Sequence, residues 1–99
     1  MTPRPNAHRL ADDAVAEWLE THSGWERAGA EIRKRFERVS FADAIAFVVR
    51  IGFLAEAADH HPDLDIRWRT ITVCLTTHDS GGLTNLDLSM AEGIDTVAG

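Results

Sequence analysis

Two short stretches hold the side chains best suited to proton transfer. They are Glu56-Ala-Ala-Asp-His-His-Pro62 and Thr76-Thr-His-Asp-Ser-Gly-Gly82, and between them they contain His60, His61 and His78, three of the five histidines in the chain. Imidazole is the one side chain whose ordinary pKa, ~6.5, leaves acid and base forms both populated near neutral pH. Two in succession are an economical way to present both forms at once. Pro62 disfavours the helical region for the residue before it, so His61 is expected in extended backbone, just past the end of a helix. Glu56 stands one turn before His60, where a carboxylate suits either solvent or the orientation of an imidazole.

Other chemistries fit this pattern less well. A zinc site wants ligands three to five apart or four apart on one helix, whereas His60 and His61 are adjacent and diverge, and no cysteine pair completes a set. Ser80 lacks the strand-turn-helix context of an activated serine. An isolated surface histidine needs no task, and His8 and His22 are read that way. A His-His-Pro at a helix end, answered by a third histidine beside a Gly-Gly turn, reads as a site.

The elements that must position these residues follow from periodicity. Pro3 and Pro5 make residues 1–9 a flexible lead-in, with Leu10 the first anchored position. Asp12 or Asp13 to Thr21 repeats Ala14, Val15, Trp18 and Leu19 at helical spacing, with Asp12 placed to cap. Residues 25–28 and 31–36 read as two strands about a Gly29-Ala30 turn, with Ile32, Lys34 and Phe36 on one face. Ser40-x-x-Asp43 has the form of a capping box and opens the principal helix, through Ala58, with a stripe of Phe41, Ile45, Val48, Val49, Gly52 and Phe53. Gly52 is placed to allow close approach to a sheet. Residues 65–68 suit a short strand. In 70–76, Ile71, Val73 and Leu75 alternate with Thr70, Thr72, Cys74 and Thr76, so one face is buried. Thr84-x-x-Asp87 caps a last helix carrying Leu86, Met90, Ile94 and Val97. The order α-β-β-α-β-β-α predicts an α+β domain, a four-stranded antiparallel sheet with three helices on one face, as a single domain over 10–99.

Bulk properties narrow the partners. Ninety-nine residues, 44% hydrophobic, allow one core, and 10 basic against 16 acidic residues give a net charge of -6. That balance argues against nucleic acid. No apolar run approaches the ~20 residues of a spanning helix and no apolar signal core is present, so a soluble, cytoplasmic protein with no membrane partner is expected. Cys74, the only cysteine, is expected as a small buried hydrophobe.

Several linked segments together resemble the pterin-4a-carbinolamine dehydratases: Ala-Glu-x-x-x-His-His-Pro-Asp at 55–63, Thr-Thr-His-Asp at 76–79, Gly-Leu-Thr at 82–84, and Asp87. The similarity runs from about Leu10 to Ile94 and includes Trp25, Phe36, Phe41 and Phe47. The resemblance implies an enzyme that removes water from a 4a-hydroxytetrahydropterin to give quinonoid dihydropterin, with no metal and no cofactor. By position, His60, His61 and His78 match the family's active-site histidines; Pro62, Thr77, Asp79 and Ser80 match pocket positions; Glu56 and Asp87 match acidic positions beside the pocket. It also implies a homodimer or homotetramer. The sequence departs from the family pattern at Leu64 and Arg38, where aromatics are usual, and at Trp68, where tyrosine is. A dehydratase-like binding or assembly module that has lost the reaction is the alternative.

Overall fold

The computed structural model describes residues 8–99. Three helices and four strands follow in the expected order: α1 (Asp12–Glu20), β1 (Glu26–Ala28), β2 (Glu31–Glu37), α2 (Phe41–Ala58), β3 (Asp63–Arg67), β4 (Thr70–Leu75) and α3 (Asn85–Ala98), with a 3-10 turn at His78–Ser80. The strands form one antiparallel sheet in the order β1-β2-β4-β3. Two-residue turns close both hairpins, and α2 carries the chain from β2 to the far edge. The expected lead-in lies largely outside the described residues. Leu10 is anchored where it was expected, its N–H donating to Leu83 O at 2.8 Å.

The alternation in β4 holds. Ile71, Val73 and Leu75 are buried and pair in register with Phe36, Lys34 and Ile32 of β2. Lys34 belongs to this inward row, yet its ammonium reaches Asp95 Oδ1 (2.8 Å) and Ser23 O (3.1 Å) and lies over the Phe36 and Trp25 rings, 4.8 and 5.9 Å from their centroids. Thr70, Thr72 and Cys74 lie on the face no helix covers. Cys74 is therefore only partly buried, unlike the expectation, and what burial it has pushes its thiol pKa up.

In α2 the periodicity misled. Ala44, Phe47, Ile51 and Ala55 face the core, whereas Phe41, Ile45, Val49 and Phe53 face outward and are 52%, 37%, 51% and 73% exposed. This helix is apolar on two sides, and a 3.6-residue period is satisfied equally by either stripe. Nothing lies within 4 Å of where a Cβ on Gly52 would sit, so it makes no close approach to the sheet.

The helix ends also depart in detail. Ala11, not Asp12, is the N-cap of α1, and Asp12 instead meets Arg27 Nη1 at 3.0 Å. Ser40 caps α2 by accepting from Asp43 N (3.0 Å), but the Asp43 carboxylate turns to Arg38 (2.8 Å) and Val39 N (3.3 Å) rather than closing the box. Arg38, the departure from family pattern, thereby ties the start of α2 to the end of α3: it also donates to Ala98 O (2.9 Å) and lies over the Phe47 ring. The strand expected at 65–68 starts earlier, at Asp63, and Trp68 falls in the β3–β4 turn at φ 53.

Candidate active site

The site is assembled where α2, β4 and α3 converge. α2 stops at Asp59, which takes left-handed backbone (φ 49, ψ 43) and donates its N–H to Ala55 O and Glu56 O. Aspartate tolerates this region better than most residues, so the helix can close without the usual glycine. His60 N–H also donates to Ala55 O, at 3.2 Å. That reversal ends the helical i,i+4 geometry before His60 and turns its ring inward.

His60 is 9% exposed, and its Nε2 lies 2.6 Å from Oδ1 of Asp87, which is fully buried. Asp87 Oδ2 accepts from Thr77 Oγ1 (2.8 Å) and from the Thr84 N–H (3.0 Å), completing the expected capping box of α3. Thr77 and Thr84 hydroxyls are 2.8 Å apart. Thr77 gives its only hydroxyl proton to Asp87, so Thr84 must donate to Thr77, while Thr84 Oγ1 accepts from Leu86 N (3.2 Å). Both carboxylate oxygens are satisfied, which is what permits a buried charge here. Because a carboxylate only accepts, His60 carries a hydrogen on Nε2, and Nδ1 is the atom left to gain or lose a proton.

His61 is held differently. Its Nε2 meets Glu56 Oε1 at 2.9 Å, with side chains 57% and 81% exposed. Glu56 thus serves His61 rather than the His60 that helical spacing suggested, because the Asp59 reversal takes His60 off that side. Two successive imidazoles each face a carboxylate through Nε2, one inside the protein and one at its surface.

Pro62 follows, and Asp63 opens β3 opposite Cys74. Beyond that pair Thr77 bridges Gly82 instead, and its hydroxyl reaches His60 through Asp87. Thr77 is buried and supports the network from behind. His78 lies one residue on, exposed, in the 3-10 turn with Asp79 and Ser80; Ser80 N–H donates to Thr77 O (3.0 Å) and Gly81 completes the turn at φ 73. His78 opens into a shallow cleft with Thr76, Gly82, Ala28, Ala30 and Glu31, and Thr76 Oγ1 ties this edge to Ala30 O at 2.6 Å. His60 and His61 do not line that cleft. Among the described residues no hydrogen bond joins one imidazole to another, and no three His, Cys, Asp or Glu side chains are gathered as metal ligands. Thr84 and Asp59 are the contributors that motif reading missed. Thr84 was legible as a cap, but its tie to Thr77 depends on β4 reaching α3.

The model of the family described as pterin 4 alpha carbinolamine dehydratase matches residues 8–97. The chain belongs to this family. A Roseiflexus sp. (strain RS-1) relative, provisionally named a pterin-4-alpha-carbinolamine dehydratase, is 57% identical over 91 residues, covering 92% of this chain and 98% of its own. A provisionally named dehydratase of Chloroflexus aurantiacus is 46% identical over 91 residues, again covering 92% and 98%. Among solved structures, the transcriptional coactivator/pterin dehydratase of Brucella melitensis superposes with a TM-score of 0.89 at 31% identity, covering 93% of this chain and all of that one. A pterin dehydratase-like protein identified as a RuBisCO assembly factor of the alpha-carboxysome shares the fold, with a TM-score of 0.67 at 23% identity over 79% of this chain and 93% of that one. The dehydratase fold, three helices against a four-stranded antiparallel sheet, is thus the family's own. No helix among the described residues is long and apolar enough to cross a membrane.

Proposed function

We propose that this chain dehydrates a 4a-hydroxytetrahydropterin, releasing water and quinonoid dihydropterin, as a homodimer or homotetramer. The observation that carries the reading is the pair of adjacent imidazoles bonded through Nε2 to separate carboxylates, His60 to Asp87 and His61 to Glu56. Each ring keeps Nδ1 for exchange, so one can hold a proton while its neighbour lacks one. Dehydration requires both states. The C4a–O bond breaks as a proton reaches the departing hydroxyl, and the N5 electron pair forms the C4a=N5 double bond as N5–H loses its proton.

His61, at the surface, is assigned the acid at the 4a-hydroxyl, and His60 or His78 the base. Pro62, Asp79 and Ser80 border the pterin, while Thr77 and Asp87 act on it through His60. A reaction that needs one group protonated as acid and another deprotonated as base has a rate that is bell-shaped in pH. No metal or cofactor takes part.

The test is a spectroscopic assay of carbinolamine dehydration with the wild-type chain and His61→Ala. The substitution should slow turnover by about 10²–10⁴-fold while circular dichroism and melting stay unchanged. A full rate in His61→Ala would remove His61 from the mechanism. A wild-type chain that binds pterin or a partner protein without accelerating dehydration would favour the binding or assembly reading, which the apolar outer side of α2 supports.

A further inference from the structure

His22, which the sequence offers as a surface histidine without a task, is tightly engaged. Its ring stacks on the indole of Trp18, with centroids 4.0 Å apart and planes within 9°. Nδ1 lies 2.7 Å from Trp18 O, and Nε2 lies 3.3 Å from Oε2 of Glu92, the same oxygen that accepts from Trp18 Nε1 at 2.8 Å. The Thr21 hydroxyl donates to Trp18 O (3.2 Å) and stands 3.1 Å from Nδ1. These contacts join the end of α1 to α3, with Trp18 and Glu92 74 residues apart.

A count of protons decides the state of the ring. A carbonyl and a carboxylate only accept, so each attracts a ring nitrogen only when that nitrogen carries hydrogen. A neutral imidazole has one N–H and would turn a lone pair on the other acceptor, whereas the imidazolium donates to both. Thr21 does not resolve the conflict, because a bare Nδ1 would still set its lone pair 2.7 Å from Trp18 O. Positive charge is favoured here on two further counts. It lies over an indole face, and it stands at the C-terminal end of α1, whose last turn holds no basic residue. Asp95, nearly one turn beyond Glu92 on α3, is already engaged: it accepts from Trp25 Nε1 (3.0 Å) and pairs with Lys34 of β2 (2.8 Å).

The helix needs such a hold. α1 has 9 residues, too few to persist alone, and Val15 is the one residue it buries, with Trp18 and Leu19 partly buried against the core. We infer that protonated His22 is a latch that clamps α1 to α3 through Glu92, and that α1 loosens as the ring loses its proton. The stabilisation belongs to the charged ring, so it is present in acid while Glu92 is ionised and is lost as pH rises through the histidine range, about 5–8. The latch does not rest on the dehydratase reading.

Melting curves and hydrogen exchange of the full chain, with His22→Gln and Glu92→Gln, test it at about pH 5.5 and about pH 8. Both side chains reach the surface, so the variants should fold. At the lower pH the wild type should melt about 2–5 °C above either variant, and its α1 amides should exchange about 3–10-fold more slowly than those of His22→Gln. At the higher pH both differences should close. Differences of the same size at both pH values would make His22 a packing residue and overturn the latch. Indole emission, which a stacked imidazolium quenches, reads the wild type without any variant: it should rise between the two pH values, and a flat emission would likewise overturn the latch.

Discussion

His60 and His61 are chemically identical neighbours that burial separates into two different instruments. Asp87 supplies the acceptor for three donors inside the protein, the His60 imidazole, the Thr77 hydroxyl and the Thr84 N–H. Asp87→Ala strands all of them in a dry site, so urea denaturation should show a loss of about 3–5 kcal/mol. Asp87→Asn keeps the volume but offers His60 a mixed donor and acceptor. It should fold, yet lose about 10–100-fold in dehydration rate, seen as a change in the shape of the pH–rate profile. The exposed Glu56–His61 pair behaves oppositely. Glu56→Gln should change stability by less than about 1 kcal/mol, since water screens the interaction, while turnover falls about 10–100-fold. A variant that lost stability and rate in proportion would show Glu56 to be structural.

At the scale of elements, three joints bring the site together: the Asp59 reversal ending α2, Thr77 in the segment just after β4, and the Thr84 cap of α3. Each was partly legible. Pro62 announced the helix end and the Thr84-x-x-Asp87 pattern announced the cap, but neither reveals that Asp87 would be shared with an imidazole 27 residues away. The Arg38–Asp43 joint at the other end of α2 makes a separate prediction. The side-chain hydrogen bond from Arg38 holds the Asp43 carboxyl below its ordinary value. The folded state therefore binds this proton less readily than the unfolded chain, and the contribution is fully present above the ordinary aspartate range, ~3.9. It is lost as pH falls through the lowered folded value. Arg38→Ala should lower the melting temperature at neutral pH, and the difference from wild type should shrink below about pH 4. It should also speed hydrogen exchange in the last turn of α3, which Arg38 holds through Ala98 O.

Over the whole molecule, one core between a single sheet face and three helices must supply nearly all the stability. Phe47, fully buried at its centre between Phe36 and Arg38, is the residue the layers share. Phe47→Ala should cost about 3–5 kcal/mol, a large fraction of the ~5–15 kcal/mol expected of a domain, and calorimetry should find the variant near unfolding at growth temperature. Of the row of α2 that the sequence favoured, only Val48 packs against the core, and it is partly buried. Which of two apolar stripes a helix buries depends on where the sheet lies, and a one-dimensional period carries no such information.

The order of elements, the alternation in β4, the caps at Ser40 and Thr84, and the two histidine-bearing segments were all determined by local sequence, because propensity, capping and period act over a few residues. The tertiary structure alone decided that Glu56 holds His61 rather than His60, that Asp87 lies buried against His60, and that Phe41, Ile45, Val49 and Phe53 face outward. Each of these depends on which distant segments meet, and chain closure over tens of residues leaves no periodic trace in the sequence.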